Sequence, residues 1–381
     1  VKRASLIAML GCACTTSGDV FRAFGGADAG CEWVATGESV RRSNWVAVTL
    51  SDGTVLVAGG ERGGNALASA AIFDPVAQKF FEVGPLAEAR ITPLALPERR
   101  GEAWIVGGAG SAGLPLPTVE RYDLARRVFL PGPSMAVPRD VLVGTYLADG
   151  RLIVAGGRTP APTTSVEILA PDGGPWVMGP ATSDTHIDAA SAMLLDGRWL
   201  VAGGGDCDAG GSCSSRSSTV EIFDPSSNSF GAAASMSLAK LAFTATTLSN
   251  GRVLTFDGAL SEVYDPLTDG WAATPYGGPF SSNHTATVLL DGSVLIAGGR
   301  LFSSMEIFDR VIRYLPATNQ YQPAAAMNEA RHDHAAARLP SGEVLVVGGD
   351  LPTGGYAGAE LYDATADRWT VIDSAIVRCQ R

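Results

Sequence analysis

The sequence predicts an all-β fold, a seven-bladed β-propeller of four-stranded sheets, on three observations. An apolar run ending in glycine recurs seven times along 381 residues, a hairpin signal precedes each copy at a fixed distance, and an aromatic follows in fixed register with what comes next. Six copies end in a glycine pair, at Gly60, Gly108, Gly157, Gly204, Gly299 and Gly349; a degenerate seventh, VLTFDG, ends at Gly258. The copies are 41 to 54 residues apart, a period that marks a repeat architecture rather than a string of unrelated domains.

Each element follows from the spacing. Seventeen residues before the first position of each pair stand Arg42, Arg90, Arg139, His186, Lys240, Ser281 and Arg331, and seven units open near these positions. Between them lies a turn with glycine at one fixed place, as in Asp52-Gly53, Asp149-Gly150 and Asn250-Gly251. Such dipeptides supply the positive φ of a tight hairpin, so each unit starts with two antiparallel strands, a and b. A Phe/Tyr-Asp-Pro-like signal then marks strand c, as at Phe73-Asp74-Pro75 and Tyr264-Asp265-Pro266. Six residues after its Asp position comes the strand d aromatic: Phe80, Phe129, Trp176, Phe230, Trp271, Tyr321 and Trp369. In the sixth unit Phe308 and Tyr314 compete for strand c, and the spacing favours Tyr314. All length variation falls in the b–c loop, longest after Gly204. A single four-stranded unit cannot bury both of its faces, so seven of them must stack radially.

From about Trp33 to Cys379 these residues resemble the kelch-repeat β-propeller family, through the glycine pair, the downstream Tyr/Phe and the strand d Trp. The resemblance implies strand a innermost. It also implies that cations at the start of strand a, here Arg42, Arg90, Arg139, His186, Lys240 and Arg331, can line the channel mouth and hold an acidic ligand. The competing and preferred expectation is structural, with these cations paired to Glu120, Glu167, Glu221, Glu262 and Glu360 of strand c. The glycine pairs lack the helix of a dinucleotide site and read as places where backbones pack too closely for a Cβ.

Residues 1–18 read as an export segment: Lys2 and Arg3, an apolar run from Ala4 to Leu10, and Gly11 before Cys12, which resembles a lipoprotein signal with Cys12 lipidated and Cys14 as a second candidate. Residues 19–30 read as a linker and 31–381 as one propeller. No apolar run is long enough for a membrane helix. Four further cysteines in an exported chain suggest the disulfides Cys31–Cys379 and Cys207–Cys213. Trp33 lies nine residues before Arg42 and looks like a spare strand d, which joins the last blade or lies along its edge.

Antiparallel geometry places the b–c loops and the start of strand a on one side of the ring. The hairpins and c–d turns lie on the other side, expected to be uniform and acidic. Variable loops on a rigid scaffold make the b–c side the expected recognition face. With a formal net charge of -11, nucleic acid and anionic lipid are not expected partners. No cofactor is expected. His332 and His334 alternate on one strand, but without a Cys, Tyr or carboxylate constellation they are not expected to hold metal. The Tyr–Cys crosslink of kelch-type copper oxidases has no cysteine available in the repeats. The expected function is therefore non-catalytic: a monomeric, extracytoplasmic module binding a protein, peptide or glycan. The alternative is an isomerase resembling the kelch epimerases of sialic acid, using the basic ring on a sugar carboxylate.

Overall fold

The computed structural model describes residues 32–159, 163–207, 213–258, 261–276, 278, 281–301 and 304–380. Cys12, Cys14 and Cys31 lie outside them, as do the export segment and linker. Among the described residues there is no helix, and seven antiparallel sheets account for the repeat.

Blade one comprises Ser43–Thr49, Val55–Arg62, Ala70–Asp74 and Lys79–Val83 as strands a to d. Its successors span 94–131, 143–178, 190–232, 244–273, 285–324 and 335–372. Tyr314 does lie in strand c of blade six, Val311–Leu315. Each strand a contacts strand a of both neighbours, including blade seven against blade one, so these strands are innermost and the ring is closed.

The core explains why the centre of strand b is almost wholly apolar. Seven large buried clusters occur among the described residues, each shared by two neighbouring blades, with a small eighth of Ile187 and Leu241. In blade one, Val55 and Val57 face blade seven, while Leu56 and Ala58 face blade two. Side chains alternate across a strand, so a strand packed on both faces needs no polar position. The strand d aromatic stacks on the strand c aromatic, as in Tyr362–Trp369 at 4.9 Å, and Trp369 Nε1 donates to Ala325 O of the preceding blade at 2.8 Å.

The hairpins refine the sequence expectation. Gly53 takes the positive φ, 86°, and Asp52 does not. The Asp52 side chain instead accepts the Thr54 amide at 3.0 Å, closing an Asx-type turn, and Asp149, Asp196 and Asp291 do the same.

Closure departs from expectation. Blade seven already owns four strands, so nothing is missing there. The C-terminal segment Ala375–Gln380 instead adds to the outer edge of blade one, parallel to strand d, with Ile376 opposite Phe80. Glu32–Ser39 then pairs antiparallel on its outside. The two ends do meet, as anticipated, with Trp33 opposite Cys379. The Cys31–Cys379 pairing itself falls outside the described residues. In the long b–c loop of blade four, Cys207 and Cys213 are register partners on two short strands.

Candidate functional site

The invariant offset of seventeen residues is a hydrogen bond. Arg42, Arg90, Arg139 and Arg331 each donate through NH1 to the carbonyl of the first glycine of their own blade: Gly59 (3.1 Å), Gly107 (2.8 Å), Gly156 (2.9 Å) and Gly348 (2.9 Å). His186 Nδ1 lies 2.8 Å from Gly203 O, and Ser281 Oγ donates to Gly298 O at 3.2 Å. In five of the six cations, all but Arg42, the other side meets the strand c glutamate: Arg90–Glu120 at 2.7 Å, Arg139–Glu167 at 3.0 Å, His186–Glu221 at 3.1 Å, Lys240–Glu262 at 3.2 Å, and Arg331–Glu360. These glutamates also accept backbone amides of the link entering the blade, as Glu167 does from Ala136 and Val137. Burial lowers the pKa of Arg90, Arg139, Lys240 and Arg331, and the facing carboxylates oppose that shift.

The six cations are 0–1% exposed. They therefore lie inside the blades and offer no surface to a ligand at the mouth. The first glycine completes this junction. A Cβ on Gly59 or Gly156 would stand 2.8 or 2.7 Å from the carbonyl of Arg90 or His186 in the next blade.

The mouth itself is lined two residues further on. Asn44, Thr92, Val141, Asp188, Ala242, Asn283 and Asp333 all have φ between 47° and 57°, the left-handed region, and all are partly exposed. Their backbones join blade to blade: Thr92 N to Asn44 O (2.8 Å), Asn44 N to Asp333 O (3.1 Å), Asp333 N to Asn283 O (3.1 Å) and Ala242 N to Asp188 O (3.0 Å). Around this ring stand the residues that follow each glycine pair, among them Glu61, Arg158 and Asp350.

Its charge is the reverse of that expected from the arginine positions. Asp140 is answered by Arg158 at 2.6 Å, and Glu61 accepts from Asn44 Nδ2 at 3.0 Å. The Asp188 carboxylate accepts no hydrogen bond among the described residues. Burial, with the charges of Asp333 and Asp140 and against that of Arg158, pushes its carboxyl up to about 6. Asp350 is likewise raised, by burial first and then by Asp333 and Glu61, with His332 opposing. Carboxylates that raise one another's pKa mark an acidic cavity suited to a cation.

The two histidines part company. Asp333, at φ 53°, sits between His332 and His334 and breaks their alternation. His334 is buried between blades, with Nε2 3.0 Å from Thr285 Oγ1, and His284 repeats this against Thr244. Burial drives His284 down to about 4. His332 instead faces the mouth acids, with Nδ1 2.6 Å from Asp333 Oδ2.

The hairpin side is uniform in build, but it is ion-paired rather than simply acidic. Arg151–Asp149, Arg198–Asp196, Arg252–Asp265 and Arg313–Asp291 neutralise its turns. Sequence reasoning missed the mouth residues because no repeat position announces them; the left-handed position two after the cation was the available signal.

No family model matches the chain. It is 29% identical over 129 residues to the F-box/kelch-repeat protein SKIP30 of Arabidopsis thaliana, a match covering 30% of this chain and 36% of that protein. The chain thus spans about a third of that relative's length. Among solved structures it is similar to YjhT, with TM-score 0.57, 13% identity, 79% of this chain and 99% of that chain covered. It is also similar to a fungal alcohol oxidase of the AA5 family in complex with copper, with TM-score 0.65, 14% identity, and coverage of 88% and 77%. At these identities the likeness concerns the fold alone, and with the repeat it describes a seven-bladed propeller built from kelch-type blades.

Proposed function

We propose that the protein is a non-catalytic binding module whose b–c loop side receives a protein partner, with the central mouth taking a basic group of that partner. The supporting observation is the set of carboxylates around the axis, above all that of Asp188, whose side chain accepts no hydrogen bond among the described residues and feels the charges of Asp333 and Asp140. A lysine or arginine side chain, or a free amine, would relieve that repulsion. The b–c loops form the rim, extended by the paired strands at Gly205–Cys207 and Cys213–Arg216 and at Arg300–Leu301 and Glu306–Ile307. Kelch-type propellers generally bind proteins, which favours this reading over a small-molecule one.

Export and a lipid anchor at Cys12 belong to the same proposal, as do a monomeric state and the Cys31–Cys379 and Cys207–Cys213 disulfides. Peptides and glycans remain alternative ligands of the same side. The isomerase alternative drew on an exposed basic ring, and cations 0–1% exposed give it little support.

The test is capture of partners from a cell-surface extract, followed by titration. Affinity is expected to fall about tenfold in the Asp188→Asn variant and to weaken with salt. Unchanged affinity in that variant, or turnover of an acidic sugar in an NMR anomerisation assay, would overturn the reading.

A further inference from the structure

We infer that His332, Asp333 and Asp350 form a binding site for a divalent transition cation on the blade seven side of the mouth. One ligand atom from each residue lies within 4.8 Å of the others. The three are held by different constraints. His332 and Asp350 are locked to each other by reciprocal backbone hydrogen bonds, 3.3 Å from His332 N to Asp350 O and 2.9 Å from Asp350 N to His332 O. Asp333 is fixed in the left-handed conformation by its bonds to Asn283 and Asn44. The donor backbones are thus set before any ion arrives, which limits the reorganisation that binding requires.

A separate observation points to a missing ligand. Asn283 Nδ2 donates to Asp333 Oδ1, yet Oδ1 of the same amide is buried without a partner. A buried acceptor left unpaired is rare, and this one belongs to the amide that holds the Asp333 carboxylate. An ion would draw the ligand atoms to about 3 Å from one another, at bond lengths of about 2.0–2.2 Å. The His332 Nδ1 to Asp333 contact, now 2.6 Å, would be exchanged for two bonds to the ion.

The donor set selects the cation. One imidazole with two carboxylates and no thiolate suits Mn2+ or Zn2+. It disfavours copper(I), which needs soft ligands, and Ca2+ and Mg2+, which prefer all-oxygen sites. The site shares Asp333 with the acidic mouth proposed above, but the unliganded protein is enough to test it.

Chelator-treated protein is titrated with Mn2+, followed by electron paramagnetic resonance. One ion per chain is expected, with affinity reduced at least tenfold by Asp350→Asn and by His332→Gln, and unchanged by Asp196→Asn on the hairpin side. Spin-echo modulation from a single imidazole nitrogen is expected on the wild type, so the site stays testable if a variant fails to fold. Absence of binding, wild-type affinity in both mouth variants, or an all-oxygen ligand sphere would each overturn the inference.

Discussion

In blade three, Arg139 opens strand a and Glu167 answers it from strand c, both fully buried. In blade six the same two places hold Ser281 and Ile312, also buried. Neither half of the ion pair survives there. Blade one offers the intermediate case: Arg42 faces Ala71 rather than a glutamate, and Ser39 O, from the strand that closes the ring, accepts from its NH2 at 3.0 Å. A buried cation is kept only where an acceptor meets it, and where the acid goes, the cation is either dropped or re-satisfied. The difference teaches that these cations serve the blade, since a ligand-holding ring would have no reason to follow the strand c residue.

The harshest test of this comparison removes one half of the pair. Arg139→Ala leaves Glu167 buried and uncompensated, and is expected to cost about 3–5 kcal/mol by urea unfolding. A loss below about 1 kcal/mol would break the comparison. The glycine junction comes next. Gly107 has φ 61°, and a Cβ there would strike the Arg139 carbonyl, so Gly107→Ala is expected to lose about 2–3 kcal/mol. Gly113, with open space around its Cβ position, serves as the mild control: its own positive φ alone should cost less.

A smaller effect of opposite sign is expected at Asp188, a carboxylate with no such answer. Its folded pKa, about 6, exceeds the ordinary aspartate value of 3.8, so the folded state holds the proton more tightly. Stability from this group is greatest below the unfolded value and is lost as pH rises through 6. Asp188→Asn should therefore gain about 1–2 kcal/mol at pH 8, allowing for solvent screening in the mouth, and nothing at pH 3. Urea midpoints across pH 3–8 give the answer, and a variant difference independent of pH would contradict it. The smallest change is expected from rebuilding blade three as blade six. The double variant Arg139→Ser, Glu167→Ile removes both charges together and should stay within about 1–2 kcal/mol of the parent, far less than Arg139→Ala alone.

What the sequence makes legible is whatever all blades must repeat. The Arg42-to-Gly59 offset, the hairpin glycines and the Phe73–Phe80 stack recur because each blade meets the same neighbours on both faces. The pairing of Arg139 with Glu167 was legible as well, since both sit at fixed offsets. The mouth was not. Asp188 and Asp333 share one repeat position, but it holds Asn, Thr, Val or Ala in the other blades, and Asp350 stands where others carry Glu, Ala, Arg or Gly, so the residue type does not repeat. Their convergence depends on the third dimension: residues about 150 apart in the chain meet only because the ring closes. The alternation argument failed at His332 and His334 for a local reason, the left-handed turn at Asp333, which side-chain periodicity does not register. Closure was half legible. That the two ends pair follows from the extra Trp33 strand, but which blade they join depends on an edge that strand counting leaves open.

The clasp on blade one has a consequence for how the chain can be rewired. Glu32 and Gln380 stand opposite each other in the outermost pair of strands, while every blade is made from one uninterrupted stretch of sequence. A short linker joining those two positions, with a new opening cut in any segment between strand d of one blade and strand a of the next, leaves all seven sheets whole. Circular permutants opened there should fold, whereas those opened between strands b and c would divide one sheet between the two ends of the new chain.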